Sequence, residues 1–171
     1  MNNTLEELML KRRSVRKYKE QPVEKEKIDK LLHYAMSAPS AVNRQPWEFY
    51  VVTNKDMLQQ ICDAGRYTKH NSPLKIIVCG NKKRFLPTSL KEYWIQDCSA
   101  AIENILLGVV DLGLGACWEG AYPQTVIVEN LIKLLEMPEE LIPLAVISIG
   151  YPDEDKEPMD QYDVNKIHYI E

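Results

Sequence analysis

The chain has little with which to hold a metal or build a disulfide framework. Its four cysteines, Cys62, Cys79, Cys98 and Cys117, are far apart and none forms a Cys-x-x-Cys pair. Each lies in or beside an apolar segment, where a buried, reduced thiol is the default. His33, His70 and His168 make no ligand-spaced set with them. Structural zinc is therefore not expected, and thiols that stay reduced suit the cytoplasm. No apolar run approaches the length of a membrane span, and the N-terminus has no signal-peptide core. The net charge of −4 gives no surface-wide field to attract nucleic acid. No Ser-His-Asp or Cys-His constellation stands out, and neither an internal repeat nor a domain boundary is visible. What remains is 171 residues, 45% of them hydrophobic, enough for a single domain over 1–171 with a real core.

Hydrophobic spacing predicts the elements. Leu5, Leu8 and Met9 fit one face of a short helix, with Thr4 as its N-cap. Ile28, Leu31, Leu32 and Ala35 predict a second helix over Glu24–Met36. The two prolines and small residues of Ser37–Pro46 read as a loop, and Trp47–Val52 as a strand. Asn54 caps a helix containing Met57, Leu58 and Ile61. Ile76–Cys79 reads as a fully buried strand. A wide apolar stripe from Cys98 to Val110 predicts a central core helix over Tyr93–Leu112, stopped by Gly113. A helix over Val126–Leu135 and a strand over Leu144–Ile149 complete the set. Residues 153–171 form a polar tail; its charged stretch, Asp153–Asp163, cannot bury itself and is either mobile or laid across another surface. Helices and short strands without regular βαβ alternation indicate an α+β layered domain. Gly113-x-Gly115 follows a helix and enters an apolar segment, so it is not a dinucleotide-binding turn.

Against this background one segment carries chemistry. Lys11-Arg12-Arg13-Ser14-Val15-Arg16 sets guanidinium forks beside a serine hydroxyl, a donor set suited to a single phosphate monoester. Standing alone it also reads as a solvated helix end offsetting the helix dipole.

Two further segments join it: Ala38-Pro39-Ser40-Ala41-Val42-Asn43-Arg44-Gln45-Pro46-Trp47-Glu48-Phe49, and Asp111-Leu112-Gly113-Leu114-Gly115-Ala116-Cys117-Trp118-Glu119-Gly120. In this order, from about Leu5 to Tyr169, the chain resembles the FMN-dependent nitroreductase family, in particular its short, one-domain members. The resemblance implies a three-layer α/β/α sandwich with a mainly antiparallel central sheet, acting as a homodimer with flavin at the subunit interface. It assigns Arg12, Arg13, Ser14 and Arg16 to the phosphate and ribityl chain. Pro39, Ser40, Ala41 and Asn43 match the loop that reaches the flavin from the partner subunit, though alone they read as an ordinary turn. Trp118, Glu119 and Gly120 match the backbone that passes the ring and its N5 edge, and Glu119 is read as a surface or supporting carboxylate, not a catalytic base. Gln96 lies near the ring in the resemblance, or is an exposed first-turn glutamine. Arg66 and Lys69 fall where relatives contact the pyrimidine.

The tail departs from the family pattern. Gln161 stands where an arginine is usual, and Lys166 is the cation expected to compensate. A long polar tail ending in Ile167-His168-Tyr169-Ile170 is suited to adding a strand to a partner. The implied activity is an FMN-dependent oxidoreductase that takes hydride from NADH or NADPH and passes electrons, by ping-pong, to a nitroaromatic, quinone or similar small electron-poor acceptor. The flavin N5 carries the chemistry and no side chain is assigned as catalytic. A non-catalytic flavin-binding or sensing protein on the same scaffold is the alternative.

Overall fold

The computed structural model describes residues 4–65 and 70–171. Lys69 and Arg66 lie outside the described residues, so their sequence assignments are not addressed by the structure.

Helix α1 (Leu5–Lys11) starts at Thr4, whose hydroxyl accepts the Glu7 N–H while the Glu7 side chain accepts the Thr4 N–H. This reciprocal cap satisfies two of the donors that a helix start leaves orphaned. α2 spans Lys25–Met36, β1 Trp47–Val52, α3 Lys55–Asp63 and β2 Leu74–Asn81. α4 (Tyr93–Asp111), β3 (Gly115–Gly120), α5 (Thr125–Leu134) and β4 (Leu141–Gly150) follow. Gly113, at φ 69°, ends α4 in the left-handed region that glycine tolerates.

The four strands form one antiparallel sheet in the order β1-β2-β4-β3. Strand alternation sends successive side chains to opposite faces. Leu74, Ile76 and Val78 of β2 join Ile147 and Ile149 of β4 in a core with Leu31 of α2 and Ile102 and Ile105 of α4. Ile77, Cys79 and Val146 face the other way, onto Leu58 and Ile61 of α3 and Ile127 and Leu131 of α5. The result is the α/β/α sandwich that the resemblance implied.

Two features place the site. β1 and β3 are the opposite edges of the sheet. The charged tail is laid across the N-terminal segment: Asp153 N–H donates to Lys17 O at 2.9 Å and Met159 N–H to Leu10 O at 3.1 Å.

Candidate functional site

Residues 12–16 leave α1 in extended form along the free edge of β3. Ser14 bridges Ala116 in parallel, and Val15 N–H donates to Ala116 O at 2.9 Å. Val15 is buried, and Gly115 makes the approach possible: a Cβ there would stand 2.7 Å from Val15 Cγ2. With Val15 turned in, its neighbours Ser14 and Arg16 turn out. Arg12, Arg13, Ser14 and Arg16 together line a cleft of about 360 Å³.

The opposite wall of this cleft comes from the tail and supplies Lys156, Met159 and Gln161. Glu154 fastens the tail: Oε1 accepts the Arg16 N–H at 2.6 Å and the Lys17 N–H at 3.3 Å, and Oε2 pairs with Lys156 at 3.0 Å. The Arg16 backbone donor, followed by Lys156, holds its carboxyl down to about 2. Arg13 donates to Glu157 O. Arg12 pairs at 3.7 Å with Glu103 of α4. No Asp or Glu lines the cleft among the described residues. Lys166 is not part of it. That lysine lies in a short 3-10 turn over Val164–Lys166, exposed, 3.6 Å from Asp163. Within one protomer the tail's cation at the cleft is Lys156, six residues past the end of β4, and not Lys166. Nothing in the sequence singled Lys156 out from its charged neighbours.

A second site element is the loop before β1. Val42, Asn43 and Gln45 have φ of 51°, 54° and 47°. Left-handed backbone costs a non-glycine residue of order 1–3 kcal/mol, and such strain persists only where surrounding contacts over-determine it. Those contacts are present. Ala41 N–H donates to Asp97 Oδ1 at 2.8 Å and Gln45 N–H to Ser40 Oγ at 2.9 Å. Arg44 donates to Arg84 O and Phe85 O at 3.1 and 3.3 Å, and Asn43 Oδ1 accepts from Gln45 Nε2 at 3.1 Å. Pro39 and Asn43 are exposed, while Ser40 and Ala41 are half-buried. Asp97 is buried, and desolvation raises its pKa against the pull of the Ala41 N–H. Its neighbour Gln96 is exposed on the first turns of α4. The loop runs into β1, so Pro39, Ser40, Ala41 and Asn43 border the edge of the sheet opposite to β3, away from the basic cleft of the same chain.

The third element is β3 itself, which the sequence did not reveal as a strand. It pairs with β4 on one side, and on the other, among the described residues, the N-terminal segment bridges it at Ala116 alone. The Ala116 carbonyl faces outward to Val15, so by strand alternation the backbone groups of Trp118 and Gly120 face that same open edge. Uncovered strand edges are rarely left to solvent. The Trp118 side chain, 37% exposed, stands beside it.

Of the two expectations for Glu119, a surface or a supporting carboxylate, burial excludes the first. Its side chain is 2% exposed and faces the fully buried Lys75 of β2, Nζ to Oε2 3.8 Å. Among the described residues neither Glu119 oxygen has a partner at full hydrogen-bond geometry, and the Ser148 hydroxyl stands near enough to favour the anion weakly. Lys75 Nζ donates instead to Ser148 Oγ of β4 at 2.6 Å and to His70 O at 2.8 Å. Burial pushes the Glu119 carboxyl up to about 7, opposed by the Lys75 charge; burial also draws the Lys75 ammonium down, opposed by Glu119. The ligand atoms of His70, Cys117 and Glu119 lie within 4.8 Å of one another. The charges of Lys75 and Arg16 already act on this group, so its chemistry is that of a compensated carboxylate and not of a cation site.

A sequence profile of the Nitroreductase family matches residues 9–68 and 63–151 of this chain. The chain belongs to the nitroreductase family. A protein of Methanothermobacter thermautotrophicus, provisionally named an NADH dehydrogenase/NAD(P)H nitroreductase, is 43% identical over 159 residues, covering 92% of this chain and 82% of that one. A crystal structure from Bacteroides thetaiotaomicron with the same provisional name superposes with a TM-score of 0.91 at 42% identity, covering 99% of this chain and 98% of the other. An FMN-dependent nitroreductase from Clostridium difficile superposes with a TM-score of 0.85 at 35% identity over 95% and 96% of the two chains.

Proposed function

We propose that this protein is an FMN-dependent NAD(P)H oxidoreductase. The observation that carries the reading is the basic cleft opening beside the free edge of β3. Three arginines, Lys156 and a serine hydroxyl, with no Asp or Glu among the described lining residues, fit a phosphate monoester dianion. The edge next to it offers unpaired backbone donors and an exposed indole, which fit a flat heteroaromatic ring carrying acceptors. When bound, FMN supplies the hydride chemistry. Arg12, Arg13, Arg16 and Lys156 would hold the phosphate, and Ser14 would add a neutral hydrogen bond. The edge of β3 would orient the ring, Trp118 would cover part of it, and the strained loop would present a rigid wall. Small electron-poor acceptors such as nitroaromatics or quinones would then use the space vacated by the nicotinamide, in a ping-pong cycle.

The functional unit in this reading is a homodimer. The loop over Pro39–Asn43 and Gln96 are grouped at one end of α4, whereas the basic cleft lies along the opposite edge strand, so a partner's loop would complete each site. Exposed Tyr162, Val164, Tyr169 and Ile170 on the tail, the last 98% exposed, supply apolar area for a second copy. Among the described residues no helix is long and apolar enough to cross a membrane. The four cysteines are buried and joined by no disulfide among the described residues, which supports a reducing compartment such as the cytoplasm. Gln161 in the cleft favours one alternative, a flavin-binding protein with weak cofactor retention and no useful turnover.

Mixed dimers test this reading. A cleft variant, Arg12→Ala with Arg16→Ala, and a loop variant, Ala41→Asp, should each bind FMN poorly. Co-expressed, they should regain one intact site in every heterodimer. Absence of any regain would place loop and cleft in separate roles and contradict the shared site.

A further inference from the structure

The buried Lys75–Glu119 pair is unused by the site as described, and its construction is unusual. Lysine and glutamate are almost never fully buried unless paired. Here the pairing is incomplete: at 3.8 Å the charges feel each other, but the lysine donates to Ser148 and His70, and among the described residues neither carboxylate oxygen has a partner at full hydrogen-bond geometry, the Ser148 hydroxyl favouring the anion only weakly. Such a carboxylate is held near balance, since desolvation favours the acid and the neighbouring ammonium favours the anion. It also sits between Trp118 and Gly120, the two residues whose backbone faces the open edge.

Lys75, Ser148 and Cys117 form one row across β2, β4 and β3, with Glu119 two residues further along β3. The groups acting on the pair are Ser148 of β4, Cys62 of α3, His70, Cys117, Tyr18 and Arg16. The thiols of Cys62 and Cys117 and the Tyr18 phenol are all raised by burial, and His70 is lowered by burial and then by Arg16 and Lys75. The neutral form is therefore favoured for each of these four near pH 7. Glu119 is the member of the group balanced to exchange a proton, and Arg16 links it to the phosphate cleft.

We propose that Lys75 and Glu119 form a proton-exchanging pair coupled to the flavin site, Glu119 taking one proton from solvent when hydride transfer adds negative charge to the bound flavin. This rests on the FMN reading above. The balance is complete. Reduced nicotinamide gives up hydride, two electrons with one proton, and leaves oxidised; the flavin gains one negative charge. The Glu119 carboxylate becomes a carboxylic acid with one solvent proton, while Lys75 stays an ammonium. The charge of the pocket is thereby unchanged, and the proton returns to solvent when an acceptor removes the electrons. Glu119 acts through the field it sets and is a positioning residue for charge.

The test is the pH dependence of the flavin midpoint potential in FMN-loaded protein above pH of about 7, where Glu119 is ionised before reduction. The wild type should show a slope twice that of E119Q, because a second proton accompanies the two electrons. Lys75→Met removes the ammonium that favours the anion, so Glu119 is already protonated and the slope should also halve. A carboxylic C=O band should appear in the reduced-minus-oxidised infrared spectrum of the wild type and be missing from E119Q. Equal slopes in all three FMN-loaded proteins would assign the second proton elsewhere and overturn the coupling alone. Failure of the wild type to take up FMN would overturn the functional reading, and the coupling with it.

Discussion

Replacing Lys156 by glutamine should weaken FMN while leaving riboflavin untouched. Lys156 reaches the cleft from the tail and is held at 3.0 Å by Glu154, with its side chain 33% exposed. A hydrogen bond to a charged group contributes about 1.5–3 kcal/mol. Partial exposure and the competing Glu154 carboxylate place Lys156 at the lower end, about 1.5 kcal/mol, which corresponds to about tenfold in Kd. Titration of flavin fluorescence at fixed ionic strength, with FMN and riboflavin in parallel, separates a phosphate contact from a general loosening of the tail. K156Q should lose about tenfold toward FMN and nothing toward riboflavin. Gln161→Arg placed on K156Q should restore most of that loss, since Gln161 lines the same cleft. Equal losses toward both flavins, or a loss in K166Q with none in K156Q, would refute the assignment of the tail's cation.

Asp97→Ala should destabilise the protein by about 1–3 kcal/mol, read as a fall in urea midpoint, because the Ala41 N–H loses its buried acceptor and the left-handed residues beyond it lose an anchor. The stability advantage of the wild type over E119Q should fall as pH rises from about 4.5 to about 7 and then level off. The folded-state pKa is raised, so the folded protein binds the extra proton in that window and raising the pH removes it. Glu154→Gln should act in the opposite sense: the folded pKa is lowered to about 2, so its contribution is present above 4.5 and fades as pH drops toward 2, and E154Q should abolish that part of the acid dependence. Gly115→Ala should cost about 1–3 kcal/mol through overpacking against Val15 and weaken FMN as residues 12–16 shift, measured by thermal unfolding and flavin titration.

Much of the fold is legible in the apolar spacing. The stripe on α4 requires a central core helix, and the Ile76–Cys79 run requires a strand covered on both faces; each is found. β3 escaped because Gly-Ala-Cys-Trp-Glu-Gly has no alternation of apolar and polar residues: its glutamate points inward to Lys75 and its tryptophan outward. For the same reason Lys75 is not marked as part of a fully buried strand, since its burial depends on partners from β3, β4 and His70. In the basic cleft, residues 12–16 are contiguous and declare themselves. The tail wall does not, because it is held by backbone hydrogen bonds and Glu154 and not by apolar side chains. Nor does any residue type at Val42 reveal a left-handed backbone, which is imposed by contacts from distant parts of the chain: Asp97, and the Arg84 and Phe85 carbonyls that Arg44 reaches.

The absorbance spectrum of the purified protein with FMN, before and after anaerobic addition of NADH and of NADPH, tests the central claim most directly. A bound flavin spectrum that bleaches with either nicotinamide, and returns when a quinone is added, is the expected result. Protein that takes up no FMN, or holds a flavin that stays oxidised with both donors, would contradict the account.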